Sequence, residues 1–266
     1  MKSLHIENSR PTLLLALHGF TGDAYDFSAF YEDTLIDAVW RFADLPGHLY
    51  CEQTIPANDR QWADFISRID QVMQEAENTR ARVYILAYSM GVRLLLKALL
   101  ENNWKPDGLV LVGATAGLES GIEQKERLEH DRVLADKLRK VGISSFIDDW
   151  MQLPIIASQN RVSSPERIRR KKQLNAIALA DALLEYSQGN MPPVWDRLGK
   201  ITSRTWLIAG AQDQKYIDLH RRMVALLPNA DMQVIPHAGH APHIEQPKAF
   251  RDVLRACLGQ ADGEIR

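Results

Sequence analysis

Val83-Tyr84-Ile85-Leu86-Ala87-Tyr88-Ser89-Met90-Gly91-Val92-Arg93-Leu94-Leu95-Leu96 is the stretch on which the reading of this chain turns. Residues 83–87 are apolar or aromatic at every position, which suits a parallel strand buried on both faces. From Met90 to Leu100 the apolar residues recur at helical spacing instead. Between the two lies small-x-Ser-x-Gly, with Ala87 at the first position and Gly91 at the last. Strand, tight turn and helix together lift a serine hydroxyl out of a sheet, and the helix N-terminus behind it favours negative charge. A glycine is more common at the first position; Ala87 adds one methyl where strand and helix crowd.

Other short apolar runs ending in turn residues flank this one: Leu13–Leu17, Val39–Ala43, Leu109–Val112, Thr205–Ala209 and Met232–Ile235. Helical patterns separate them. Trp62, Phe65, Ile66, Ile69, Val72 and Met73 share one helix face, Tyr216 to Leu227 reads as another helix, and Pro247 opens the last. Strands alternating with helices predict an α/β doubly wound, mostly parallel sheet. The alternation stops between about residues 116 and 195, where the pattern is helical and densely charged with both signs. We expect a helical cap at 116–195 inserted into a core made of 1–115 and 196–266. Ligands in such sheets bind beyond the carboxyl ends of the strands, where a cap would close over them. The basic run Arg167–Lys172 reads as a solvated helix face.

Three further loops carry chemistry. His18-Gly19-Phe20-Thr21-Gly22 follows the first apolar run, and a glycine-bearing turn there lets backbone N–H groups approach a ligand. Phe20, with Met90 after the serine, is the expected pair of oxyanion-binding N–H donors. Asp213 follows the run ending at Ala209, and His240 follows the last strand. An isolated loop aspartate is more often a turn or cap residue, and an isolated loop histidine usually does nothing. Serine, acid and histidine in that order, each just past a strand, are the chain order of the α/β-hydrolase fold. In that arrangement His240 takes the Ser89 proton while Asp213 fixes the imidazole and stabilises its cation. His18 reads as structural and His48 as structural or pocket-edge. His237 and His243 read as residues orienting the His240 loop.

Composition narrows the class. The 266 residues are 45% hydrophobic and 25% charged with a formal net charge of −2, so no concentrated basic face points to nucleic acid or an anionic membrane. No run reaches the roughly 18 apolar residues of a membrane span. The two cysteines, Cys51 and Cys257, are expected to be reduced thiols. A cytoplasmic enzyme without a metal or organic cofactor is the expectation, because no phosphate loop or zinc-spaced histidine pair is present. Oligomeric state cannot be read from the chain.

Beyond these motifs the sequence resembles the 2-succinyl-6-hydroxy-2,4-cyclohexadiene-1-carboxylate synthase (MenH) family from about Leu13 to Phe250. The resemblance rests on residues 18–22, on Asp44-Leu45-Pro46-Gly47-His48, on Tyr88-Ser89-Met90-Gly91 with Arg93, and on Gly117-Leu118. It continues through Glu126-Arg127, Asp131-Arg132 and Phe146-Ile147-Asp148-Asp149-Trp150, and closes with 210–216 and 238–247. It implies a lyase that eliminates pyruvate from a small polycarboxylate cyclohexene, with Ser89 as base and no acyl-enzyme. It further implies that Tyr88, Arg93, Arg127, Trp150 and Lys215 line the pocket. Arginine is the natural bidentate partner of a carboxylate, and Arg93 lies one helical turn beyond Ser89. The chain departs from the family at Leu49 and Val92, and where a second cap arginine is usual it carries Lys171, or Arg170 if the register shifts. A serine hydrolase acting on a small ester or on a C–C bond beside a ketone is the alternative, expected to show a mainly apolar pocket. A non-catalytic receptor is disfavoured because all three triad positions are filled.

Overall fold

A computed structural model of the protein describes residues 10–48 and 59–260. Among the described residues six strands form one sheet: β1 Thr12–Leu17, β2 Val39–Phe42, β3 Arg82–Tyr88, β4 Gly108–Val112, β5 Arg204–Gly210 and β6 Ala230–Ile235. Their spatial order is β2-β1-β3-β4-β5-β6 and every pair is parallel. All six apolar runs are therefore strands, displaced at their ends by two residues or fewer.

Among the described residues ten α-helices accompany the sheet. They are α1 Ser28–Tyr31, α2 Asp59–Thr79, α3 Met90–Asn102, α4 Gly121–Trp150, α5 Ala157–Asn160, α6 Pro165–Lys171, α7 Ala176–Glu185, α8 Gln214–Val224, α9 Pro242–Glu245 and α10 Pro247–Gln260. α4 is interrupted at Gly142, whose φ of 75 and ψ of 168 are not helical. None of the described helices is long and apolar enough to cross a membrane.

Alternation along the central strands divides the core. Leu13, Leu15, Leu17, Val83, Ile85, Ala87, Leu109, Leu111 and Leu207 pack with α2 and α3 on one face. Leu14, Ala16, Tyr84, Leu86, Val110, Val112, Trp206 and Ile208 pack with α1 and α10 on the other. Full burial of each such side chain contributes about 1.5–3 kcal/mol. On α2 the buried face is Phe65, Ile69, Val72 and Ala76, at helical spacing. The outer strands differ from the expectation of burial on both faces: β2 and β6 are largely half-exposed or exposed. Among the described residues they are the sheet edges, each with one neighbouring strand.

The chain enters at β1, crosses to β2, and returns to β3 on the other side of β1. The crevice where the order reverses lies between the carboxyl ends of β1 and β3, the usual ligand position in such sheets. The loop after β1 and the turn holding Ser89 are its two walls. The helices α4 to α7 have their own apolar cluster, including Ala135, Leu138, Phe146, Ile147, Leu179 and Leu183.

The basic run of α6 does not behave as a solvated face. Arg167 and Lys171 are 8% and 6% exposed. Arg167 Nε donates to Asp26 Oδ1 at 2.9 Å, and Arg170 Nε donates to Asp23 Oδ2 at 2.7 Å. Their partners lie some 140 residues earlier in the chain, on the loop after β1. Only Arg169, paired with Glu166 on its own helix, and Lys172, paired with Asp148, follow the expected surface pattern. Burial, the largest influence on Asp26, pushes its carboxyl up, yet Arg167, Lys171 and two histidines together hold it at about 2.

Candidate active site

Ser89 has φ 51 and ψ −107, a conformation that non-glycine residues rarely adopt. The sharp reversal is pinned on one side by Ser89 N–H donating to the Val112 carbonyl at 2.9 Å. On the other side Gly91 permits close approach of the loop after β1, since a Cβ there would stand 2.5 Å from the His18 carbonyl oxygen. α3 starts immediately after the serine. Its first N–H, that of Met90, has no carbonyl four residues back to bond. Among the described residues neither the Met90 nor the Phe20 N–H donates to a protein acceptor.

Ser89 Oγ lies 3.0 Å from His240 Nε2, and His240 Nδ1 lies 2.8 Å from Asp213 Oδ2. The chain is satisfied when Nδ1 carries the proton and donates it to the carboxylate, leaving Nε2 to accept from the hydroxyl. Asp213 also caps α8, its other oxygen standing 3.5 Å from the Tyr216 N–H. Helix cap and imidazole partner are thus the same side chain. Backbone bonds from Ala211 to Ile235 and from Gln212 to Ala238 tie the two loops together and set the spacing between Asp213 and His240.

The imidazole is enclosed. Tyr216 lies against it with ring centroids 4.4 Å apart, and Tyr88 at 5.4 Å. Gly113, with φ 60, comes so close that a Cβ would stand 2.7 Å from His240 Cε1. Glu245, which the sequence did not single out, grips the loop from below. Its two oxygens accept the N–H groups of Gly239 at 2.7 Å and Ala241 at 2.9 Å, the residues on either side of His240.

The other histidines divide. His18 Nε2 accepts the Leu45 N–H, and His48 Nε2 accepts the Thr21 N–H, so both brace the loop after β1. His243 packs on Tyr88 at 4.5 Å and is buried, which holds it down at about 3, with smaller contributions led by Arg167. His237 is exposed and contributes its carbonyl to Gln246. His220, also unremarked in the sequence, accepts the Ala114 N–H at 2.8 Å, and burial holds it at about 4.

Of the residues expected to meet substrate, Tyr88 is buried and its hydroxyl accepts from Gln159 Nε2 of α5 at 3.1 Å. Burial pushes that phenol well above its ordinary range. Arg93 is half-buried, with Nη1 donating to the Tyr186 carbonyl at 2.6 Å. Burial first, and then the neighbouring Arg127, lower it to about 10. Arg127 Nε lies 2.9 Å from both oxygens of Asp131, a fully buried carboxylate that also accepts from Ser187. Both guanidinium groups act on Tyr216, whose ring is tilted against that of His240. Arg93 is thus anchored to the carbonyl of Tyr186 and Arg127 to the carboxylate of Asp131. Trp150 is half-buried and covers Phe20 edge to face at 5.2 Å, while stacking on Phe146.

Lys215 is not brought to this group by any bond. It is exposed at the start of α8, with Nζ 6.0 Å from the Tyr216 ring, and forms no ion pair among the described residues. Lys171 and Arg170 are committed to the loop after β1. Lys171 Nζ donates to the Thr21 carbonyl at 2.8 Å, and burial pulls its ammonium below the usual lysine range. Leu49 and Cys51 lie outside the described residues; Cys257 is buried as a free thiol. Among the described residues no cluster of three or more His, Cys, Asp or Glu could hold a metal ion.

Comparison with known proteins agrees with this arrangement at the level of family. The alpha/beta hydrolase family profile matches residues 13–253. A Bacillus subtilis (strain 168) protein named "Putative 2-succinyl-6-hydroxy-2,4-cyclohexadiene-1-carboxylate synthase" is 31% identical over 92% of this chain and 89% of its own length. An Escherichia coli (strain 55989 / EAEC) 2-succinyl-6-hydroxy-2,4-cyclohexadiene-1-carboxylate synthase is 28% identical over 88% of each chain. The structure of MenH from S. aureus superposes with a TM-score of 0.83 at 26% identity, covering 96% of each chain. A thermophilic esterase from Thermogutta terrifontis shares the fold at a TM-score of 0.72 and 24% identity, covering 95% of this chain and 91% of its own. With a doubly wound sheet, a serine at the bend after β3 and these relatives spanning nearly its whole length, the chain belongs to the alpha/beta hydrolase family and, within it, to the MenH family of 2-succinyl-6-hydroxy-2,4-cyclohexadiene-1-carboxylate synthases.

Proposed function

We propose that the protein is a carbon–oxygen lyase of menaquinone biosynthesis, eliminating pyruvate from 2-succinyl-5-enolpyruvyl-6-hydroxy-3-cyclohexene-1-carboxylate. The observation that carries this reading is the pair Arg93 and Arg127, which act on each other and on Tyr216, the residue against the His240 ring. Two partly buried guanidinium groups that repel each other suit a substrate with several carboxylates. An ester pocket has no use for them.

The chemistry follows from the substrate. The hydrogen on carbon 2 is acidified by the adjacent succinyl ketone. Ser89, with His240 taking its proton and Asp213 stabilising the imidazolium, removes that hydrogen. Negative charge develops on the ketone oxygen, where the Phe20 and Met90 N–H groups are placed to receive it. As the charge returns through the ring, the double bond moves and the enolpyruvyl group leaves carbon 5. The leaving enolate takes up the proton held on His240 to become pyruvate, which returns His240 to its neutral form, and the ring is left as the 2,4-diene. No bond forms between Ser89 and the substrate. Arg93 and Arg127 clamp carboxylates, Tyr88 lines the pocket, and Trp150 packs on the ring and on Phe20. The helices of 116–195 act as a cap that keeps water from the enolate. Lys215, solvent-exposed, is left out of the clamp.

The test is a coupled assay of pyruvate release from the polycarboxylate, run beside hydrolysis of a neutral activated ester. The lyase reading expects stoichiometric pyruvate and diene without a burst of acylation. A burst on the ester with no pyruvate release would make the protein a serine hydrolase instead.

A further inference from the structure

Thr21 is a β-branched residue with φ 64. The left-handed region is unfavourable for such a side chain, so this conformation persists only where the surroundings impose it. Two bonds do so, from opposite sides. The Thr21 N–H donates to Nε2 of buried His48 at 3.1 Å. The Thr21 carbonyl accepts from Lys171 Nζ at 2.8 Å, and the same ammonium lies 3.4 Å from Thr21 Oγ1. Phe20 is the residue before it, in a turn closed by Gly22 N–H donating to the Gly19 carbonyl at 2.9 Å. The direction of the Phe20 N–H is therefore set by a strained turn that the core holds on one side and α6 holds on the other.

We propose that Lys171 is a positioning residue, whose bond to the Thr21 carbonyl holds the turn that presents the Phe20 N–H to the reacting oxygen. This rests on reading the Phe20 N–H as an oxyanion donor. It separates Lys171 from the part a cap cation plays when it binds substrate. The side chain is 7% exposed, and its donors face Thr21 and Asp26, whose Oδ1 is 3.9 Å away. Arg167 already occupies the same carboxylate oxygen. A compact ammonium fits between them, where a planar guanidinium would have to displace its neighbour. The consequence is coupling. When α6 is docked the turn is held, and when α6 lifts away Thr21 loses one of the two bonds that sustain its φ.

Lys171→Met and Lys171→Arg in the full-length protein test this, with Lys171→Gln, which keeps one donor, replacing Met if that variant does not fold. Kinetics are measured on pyruvate release and on neutral ester hydrolysis, and backbone amide exchange is followed in the free protein over Leu15 to Phe27. The expected result for Lys171→Met is a fall in kcat of at least about tenfold on either reaction, KM within about threefold, and faster exchange at Phe20 to Gly22. Lys171→Arg, which retains a donor, should recover part of kcat. A KM for the polycarboxylate raised by about tenfold or more at unchanged kcat would make Lys171 a substrate ligand and overturn the proposal. Unchanged exchange, or faster exchange with unchanged kcat, would overturn it as well. If the wild-type protein hydrolyses ester and releases no pyruvate, the lyase reading fails while ester kinetics and exchange still decide the role of Lys171.

Discussion

Replacing Arg93 by methionine removes one guanidinium of the proposed clamp, including the Nη1 that lies 3.3 Å from Met191 Sδ, while keeping most of the aliphatic stem. Arg93 is held at about 10 against an ordinary 12.5, by burial and then by Arg127. That difference corresponds to on the order of 3 kcal/mol disfavouring the cation, a cost that an incoming carboxylate offsets. Losing a charge-assisted contact of this kind costs about 2–5 kcal/mol of transition-state stabilisation, or roughly 30-fold to a few thousand-fold in kcat/KM. The variant also gives up the bond from Nη1 to the Tyr186 carbonyl, worth about 1 kcal/mol of fold stability, and this is partly repaid by no longer burying a charge. Pyruvate release should therefore fall steeply, while hydrolysis of a neutral activated ester through Ser89 changes little. A loss below about tenfold, or an equal loss on both substrates, would refute the clamp.

Three other perturbations probe the support of His240 and the buried titrating groups. Gly113→Ala places a methyl 2.7 Å from His240 Cε1 at a φ of 60. It should lower kcat by about a hundredfold through a displaced imidazole, and a variant with wild-type kcat would show that the ring tolerates the shift. Glu245→Gln leaves one of the two N–H groups beside His240 without its acceptor. It should cost about 1–3 kcal/mol in urea unfolding together with a fall in kcat, and unchanged values of both would remove Glu245 from the loop's support. His243 and His220 are depressed to about 3 and about 4, so they stay neutral in the fold while the unfolded chain takes up protons below its ordinary 6.5. Their stabilisation is complete above 6.5 and is lost as pH falls toward those values, and Asp26, at about 2, adds a further loss below 3.8. Urea unfolding should show a loss of a few kcal/mol between pH 7.5 and pH 5; equal or greater stability at pH 5 would contradict it.

The sheet was legible because its strands announce themselves locally. Consecutive apolar residues such as Leu13–Leu17 and Val83–Ala87 have no other use in a charged chain, and they are strands here. The order of Ser89, Asp213 and His240 past three strand ends was equally local, and the structure joins them by two hydrogen bonds. What the sequence hid were the long-range contacts that no motif announces. The run Arg167–Lys172 looks like a solvated face because nothing near it in sequence signals Asp23 and Asp26. Glu245 was quoted within a motif, yet its two backbone partners appear only once the loop folds back on it. Lys215 is the opposite case: adjacent to a buried tyrosine in sequence, its own side chain is exposed at the start of α8. The edge strands β2 and β6 expose faces that their composition does not forecast, since edge position is a property of the whole sheet.

Ser89→Ala, checked by circular dichroism for an intact fold and assayed for pyruvate release from the enolpyruvyl cyclohexene carboxylate, probes the account at its centre. With the hydroxyl gone, His240 has nothing through which to reach the carbon-bound hydrogen, and release should fall to the background of the uncatalysed reaction. A folded variant that still releases pyruvate at a substantial fraction of the wild-type rate would take the serine out of the chemistry.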